Sequence, residues 1–134
     1  IIDLSPTTPD FSLPTGYQTA LTALPQLNFS QPRALPDWGD IFSEFCLFIR
    51  PENADEETAF LERVVSYLEI HCQQAIATEP VTGVALEQNC AGQHYYCTKQ
   101  QKNDKTRRVL ESAFGEAWAE RYMTTVLFDL PPAL

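Results

Sequence analysis

Between Asn53 and Ala77 apolar residues recur at intervals of three and four: Phe60, Leu61, Val64, Val65, Leu68 and Cys72. That spacing runs along one stripe of an α-helix, so the segment predicts a long amphipathic helix with one side to bury. Its start is marked by Asn53-Ala54-Asp55-Glu56, a capping box in which the Asn side chain takes an orphan N–H and Glu56 reaches back to the cap. Glu79-Pro80 closes it, because proline disfavours helical geometry in the residue before it. A helix of this kind needs a second layer, and the stripe is expected to pack on a sheet.

Two segments are candidates for that sheet. Ile41 to Ile49 is short, rich in aromatics and ended by Arg50-Pro51, which predicts a buried strand. Ile1-Ile2-Asp3-Leu4 reads as the end of an apolar strand whose neighbours the sequence only partly supplies, so an amino-terminal portion is expected to be missing. From Ser5 to Pro36 a connector rich in Pro, Thr, Ser and Gln holds a helical patch at Tyr17 to Leu24. Residues 80–92 read as a loop, followed by a helix from Gln93 to Phe114 that breaks at Gly115. Trp118, Tyr122 and Val126 step by four along a final short helix, and Leu127 to Leu130 is extended or turned.

At 134 residues and 44% hydrophobic, the chain has the size and apolar content of one domain. A formal net charge of −9 argues against general nucleic-acid binding, since phosphates would be repelled by most of the surface. No stretch has the apolar length of a membrane span and no signal sequence opens the chain, so the expected location is the cytoplasm. Cys46, Cys72, Cys90 and Cys97 form no C-x-x-C pair, which favours free thiols over zinc.

Against this acidic background, Lys99, Lys102, Lys105, Arg107 and Arg108 place five of the nine cations within ten residues. The cluster is either a solvated helix face or the seat of an anionic ligand or partner. On a single helix Tyr96, Gln100 and Asn103 would share one side, offering ring surface and amides beside positive charge. A flat, conjugated, carboxylate-bearing ligand would suit that face; packed aromatics with solvated amides and cations would produce the same pattern. Asp104 reads either as a surface acid or as a proton donor, and a donor would need a raised pKa. His71 reads as a packed or boundary residue, and His94 as loop surface or pocket wall. Arg33, alone between prolines, suits a bidentate carboxylate contact or solvent, and Trp38 closes a pocket or caps the core. There is no G-x-S-x-G, phosphate loop, H-E-x-x-H or dinucleotide fingerprint.

Longer runs carry a more specific signal. Gln100 to Glu111, Ala113 to Met123 and Val126 to Asp129 resemble the carboxyl end of the ferredoxin-dependent bilin reductases, most of all the phycocyanobilin-forming type. Asp3-Leu4-Ser5-Pro6, Leu35-Pro36, Trp38-Gly39, Ile41 to Glu44 and Cys46 to Pro51 are similar to that family too, so the likeness covers essentially the whole chain. It implies a three-layer α/β/α sandwich with a central antiparallel sheet flanked by helices. Residues 1–134 would be the carboxyl-terminal portion of one such domain, with biliverdin between the sheet and the last helices.

The implied reaction is reduction of biliverdin IXα to phycocyanobilin through bilin radicals, with coupled proton transfers and electrons from reduced 2Fe–2S ferredoxin. No intrinsic cofactor and no metal is implied. A phycoerythrobilin- or phytochromobilin-forming relative, or a bilin-binding module without redox activity, stands as the alternative. By resemblance Asn103, Asp104 and Lys105 take the catalytic positions and Arg33, through a propionate, Trp38 and Val109 bind the substrate, joined by Tyr96 and Gln100 from the helical spacing above. Lys99, Lys102, Arg107 and Arg108 are left for bilin carboxylates or for docking acidic ferredoxin. The family's main acid/base aspartate, its partner histidine and a pocket glutamate lie upstream of Ile1, so these residues alone are expected not to reduce bilin. The complete protein is expected to be a monomer.

Overall fold

The computed structural model describes residues 1–8 and 10–131, which group into two units. The first comprises residues 1–6 and 10–81 and holds α1 (Thr15–Thr22), a 3-10 turn (Gly39–Ile41) and α2 (Ala54–Ala77). Asn53, in extended conformation, caps α2 by accepting from Glu56 N at 2.9 Å. The returning half of the expected box is absent. The Glu56 carboxylate instead accepts from Glu52 N (3.0 Å) and Ser30 N (2.8 Å), and these bonds hold it below the usual carboxylate range.

α1 packs on α2 around buried Leu13, Leu21, Tyr67 and Ile70, with Ile2, Leu4, Tyr17, Ala20, Leu24 and Phe45 against them. The buried face of α2 is therefore not the stripe read from the sequence. Leu61, Val65 and Leu68 on that stripe are each more than half exposed, and Cys72 and Ile76 face solvent with them.

The sandwich implied by the resemblance is not what the described residues form. They are largely helical and contain no strand longer than the isolated antiparallel bridges Ile2 to Leu47 and Pro32 to Ile49. Residues 47–50 are paired on both sides, Leu47 with Ile2 through two 2.9 Å bonds, and Phe48 and Arg50 with Arg33 and Gln31. Neither ladder lengthens, because the flanking donors are turned elsewhere. Phe45 N goes to Ser43 Oγ, Cys46 N to Ser43 O, and Glu52 N to Glu56. Ser43 is itself held by Asp3, whose carboxylate accepts from Ser43 Oγ (2.5 Å), Ser43 N (3.1 Å) and Ser5 Oγ (2.7 Å). The predicted strand from Ile41 to Ile49 is thus a 3-10 turn and a tight turn followed by one bridging segment.

The second unit comprises Thr7, Thr8 and residues 82–131, with α3 (Val84–Gln100), α4 (Asp104–Phe114), α5 (Glu116–Tyr122) and a π-turn (Met123–Leu127). α3 starts nine residues before the expected Gln93, directly after Gly83 at φ +58°. Thr7 lies so close to it that a Cβ at Gly92 would overlap the Thr7 carbonyl. The expected break at Gly115 is present at φ +85°, and α5 buries Ala119 and, beyond it, Met123. Phe114, Trp118 and Tyr122 form a ladder with centroids 4.4 and 4.6 Å apart. Among the described residues no helix is long and apolar enough to cross a membrane.

Two outcomes follow for the first unit. Tyr67, 2% exposed, donates its hydroxyl to Phe45 O at 2.6 Å. Tyr67→Phe leaves that carbonyl unmet and should lower stability by about 1–2 kcal/mol in urea unfolding; an unchanged midpoint would show that the bond contributes nothing. Burial, with Asp3 adding to it, pushes the Cys46 thiol up to about 11 from 9.0. A thiol raised in the fold contributes stability that is complete below pH 9.0 and lost as pH rises through about 11. Iodoacetamide at pH 8 should therefore alkylate Cys46 far more slowly than exposed Cys72, and equal rates would contradict the assigned burial.

Candidate functional site

All the candidate residues except Arg33 and Trp38 lie on α3, on α4 or in the turn between them. The single helix expected from Gln93 to Phe114 is broken there, so Tyr96, Gln100 and Asn103 do not share one helical face. Gln101 closes α3 by donating its N–H to Cys97 O (2.9 Å), and Lys102 and Asn103 turn back on Lys99 and Gln100 at 3.0 Å each. Asn103 then takes extended geometry and caps α4, its side chain accepting from Thr106 N at 3.2 Å. Three residues outside either helix, Gln101 to Asn103, thus reset the helical phase.

On the α3 side, Gln100 is buried and donates its amide to the Tyr96 hydroxyl at 3.1 Å. These two expected substrate contacts are brought together. Lys99, half-buried, lies over the Tyr95 ring 5.0 Å from its centroid, and His94 stands exposed beside Thr98. Burial, with Asp129 adding to it, pushes the Cys97 thiol up, and Gln101 Nε2 donates to Phe128 O at 2.9 Å. The segment after the π-turn therefore runs beside the end of α3.

On the α4 side, Asn103 is half-buried, whereas Asp104, Lys105, Arg108 and Val109 are exposed, as is Lys102 in the turn. Lys105, Arg108 and Val109 fall within one arc of the helix, giving it an exposed face that carries two cations and one apolar side chain. Arg107 behaves differently. It pairs with Glu120 on α5, and its other terminal nitrogen donates to Gln101 O at 3.0 Å. No sequence pattern signals this pairing, because the partners are thirteen residues apart across the Gly115 break.

Arg33 and Trp38 belong to the first unit. Exposed Arg33 sets its guanidinium over Phe48, 5.0 Å from the ring centroid, and its N–H bonds Phe48 O at 2.7 Å. Half-buried Trp38 leans on Phe42 with centroids 6.1 Å apart. His71 is exposed on α2, its Nδ1 3.1 Å from the Tyr17 hydroxyl. Among the described residues no group of three His, Cys, Asp or Glu side chains could hold a metal ion, and the four cysteines are free thiols.

Comparison with known proteins gives these positions a context. A family model described as ferredoxin-dependent bilin reductase matches residues 1–129. A phycocyanobilin:ferredoxin oxidoreductase of Trichodesmium erythraeum is 56% identical over 131 residues, covering 98% of this chain and 54% of the relative. The protein of the same name from Synechococcus elongatus is 57% identical over 136 residues, covering 98% and 53%. The chain therefore spans about half the length of the curated relatives it matches. With the family model matched over residues 1–129, the chain belongs to the ferredoxin-dependent bilin reductase family.

Proposed function

We propose that the complete protein carrying this chain reduces biliverdin IXα to phycocyanobilin with electrons from reduced ferredoxin. The observation that carries the reading is the identity of more than half the residues, across nearly the whole chain, with proteins named phycocyanobilin:ferredoxin oxidoreductase. The exposed cations of the α3–α4 corner support it, because an acidic chain gains a local seat for an acidic donor or for pigment carboxylates.

Ferredoxin delivers single electrons. The first of each pair entering a conjugated tetrapyrrole leaves a radical, the second closes the shell again, and protons relieve the added charge, so the site must hold the pigment and place proton donors against it. In this reading Asn103 offers its remaining amide capacity to the pigment, Lys105 offers an ammonium to its polar edge, and Asp104 is a carboxyl within the same turn. Tyr96 and Gln100 form a preset pair whose rotamers are fixed by their own bond, and Val109 supplies apolar contact. In the first unit, Arg33, its guanidinium steadied by Phe48, suits a propionate, and Trp38 suits apolar contact. The principal proton donors come from the part of the relatives' length that this chain does not span.

Anaerobic turnover of biliverdin by the complete protein with reduced ferredoxin tests the reading. Phycocyanobilin identified by its absorption spectrum is expected. A phycoerythrobilin or phytochromobilin product would move the protein to another branch, and tight binding without reduction would make it a bilin carrier. In the same assay Lys102→Glu and Arg108→Glu should each raise the ferredoxin KM about threefold to tenfold at low salt, the gap closing as salt rises. Unchanged ferredoxin kinetics would leave those cations as a solvated face.

A further inference from the structure

Arg107 sits inside the basic run, yet both of its terminal nitrogens point inward. One pairs with the Glu120 carboxylate and the other reaches Gln101 O at 3.0 Å, leaving the side chain 25% exposed against 58% for Glu120. Gln101 O stands just past the end of α3, where helical carbonyls lose their amide partners and carry partial negative charge. Arg107 N donates to Asn103 O at 3.0 Å, closing the first turn of α4 on the same residue that caps it. One residue thereby joins the end of α3, the start of α4 and the middle of α5. Only a planar fork does this at once, since a lysine ammonium is a single point charge on a mobile stem. The Gln101 side chain adds a second tie, to Phe128 O.

We propose that Arg107 is a positioning residue: with Glu120 it clamps the Gln101–Asn103 turn to α5, so that Asn103, Asp104 and Lys105 are held in fixed register for the pigment. It is not a docking cation, although its sequence neighbours are. The proposal rests on the reading above for what the corner holds, but the clamp itself is judged independently.

The test uses the complete protein with Arg107→Ala, Arg107→Lys and Glu120→Gln. Loosening the corner should lower kcat roughly tenfold in all three, since small misplacements of reacting groups cost one to two orders of magnitude. The ferredoxin KM should stay within about twofold of the parent value, because mutating a rim charge is what changes encounter with a charged partner. Amide hydrogen exchange should quicken across residues 101–106 while the amides of α2 keep their rates. Glu120→Gln retains the cation and changes a mostly exposed side chain, so it carries the test if Arg107→Ala fails to fold. A raised ferredoxin KM with unchanged kcat, full rescue by Arg107→Lys, or unaltered exchange at 101–106 would each overturn the proposal. Should the parent protein not reduce biliverdin at all, the functional reading fails while exchange still decides whether the clamp exists.

Discussion

A helix that stops leaves backbone groups that must find partners, and the second unit is organised by how that demand is met at Gln101–Asn103. Asn103 Oδ1 takes Thr106 N, the Arg107 guanidinium takes Gln101 O, and the Gln101 amide takes Phe128 O. Thr106 and Arg107 lie on α4, Arg107 also pairs with Glu120 of α5, and Phe128 follows the π-turn, so capping the break also fastens α4, α5 and the segment after the π-turn to the end of α3. All the candidate residues except Arg33 and Trp38 stand on the elements that meet at this junction, which is where a fold can hold polar groups at fixed positions without burying them unmet.

The same demand explains the first unit. Apolar residues between Ile41 and Ile49 have strand propensity, but propensity does not decide where a backbone donor goes. Ser43, gripped by Asp3 forty residues away, takes Phe45 N; Glu56, released from the return half of its own capping box, takes Glu52 N and Ser30 N. With those donors diverted, each pairing is one bridge long. Tyr67 closes the arrangement by bonding Phe45 O from within the core.

What the sequence disclosed follows from the same physics. Asn53 and Pro80 bracketed α2 because capping and proline chemistry are local, and Gly115 marked a break because its backbone needs φ +85°. The helix break at residues 101–103 was hidden, since Gln, Lys and Asn there carry no glycine or proline and only the cap betrays it. The stripe of α2 was legible as a stripe, but α1 packs against Tyr67 and Ile70 instead, a choice made by residues far away in sequence. For the candidate site, the basic run was readable as a run; the pairing within it was not, because Arg107 meets Glu120 only after the chain has turned at Gly115.

Family membership and the corner's geometry together support the proposal that the junction of α3 and α4 meets the tetrapyrrole. The most direct measurement is a structure of the complete protein with biliverdin bound. Polar atoms of the pigment should lie within hydrogen-bonding distance of side chains at positions 103 to 105, with Tyr96 or Gln100 against its rings. A pigment seated without contact to any residue between Tyr96 and Val109 would contradict it.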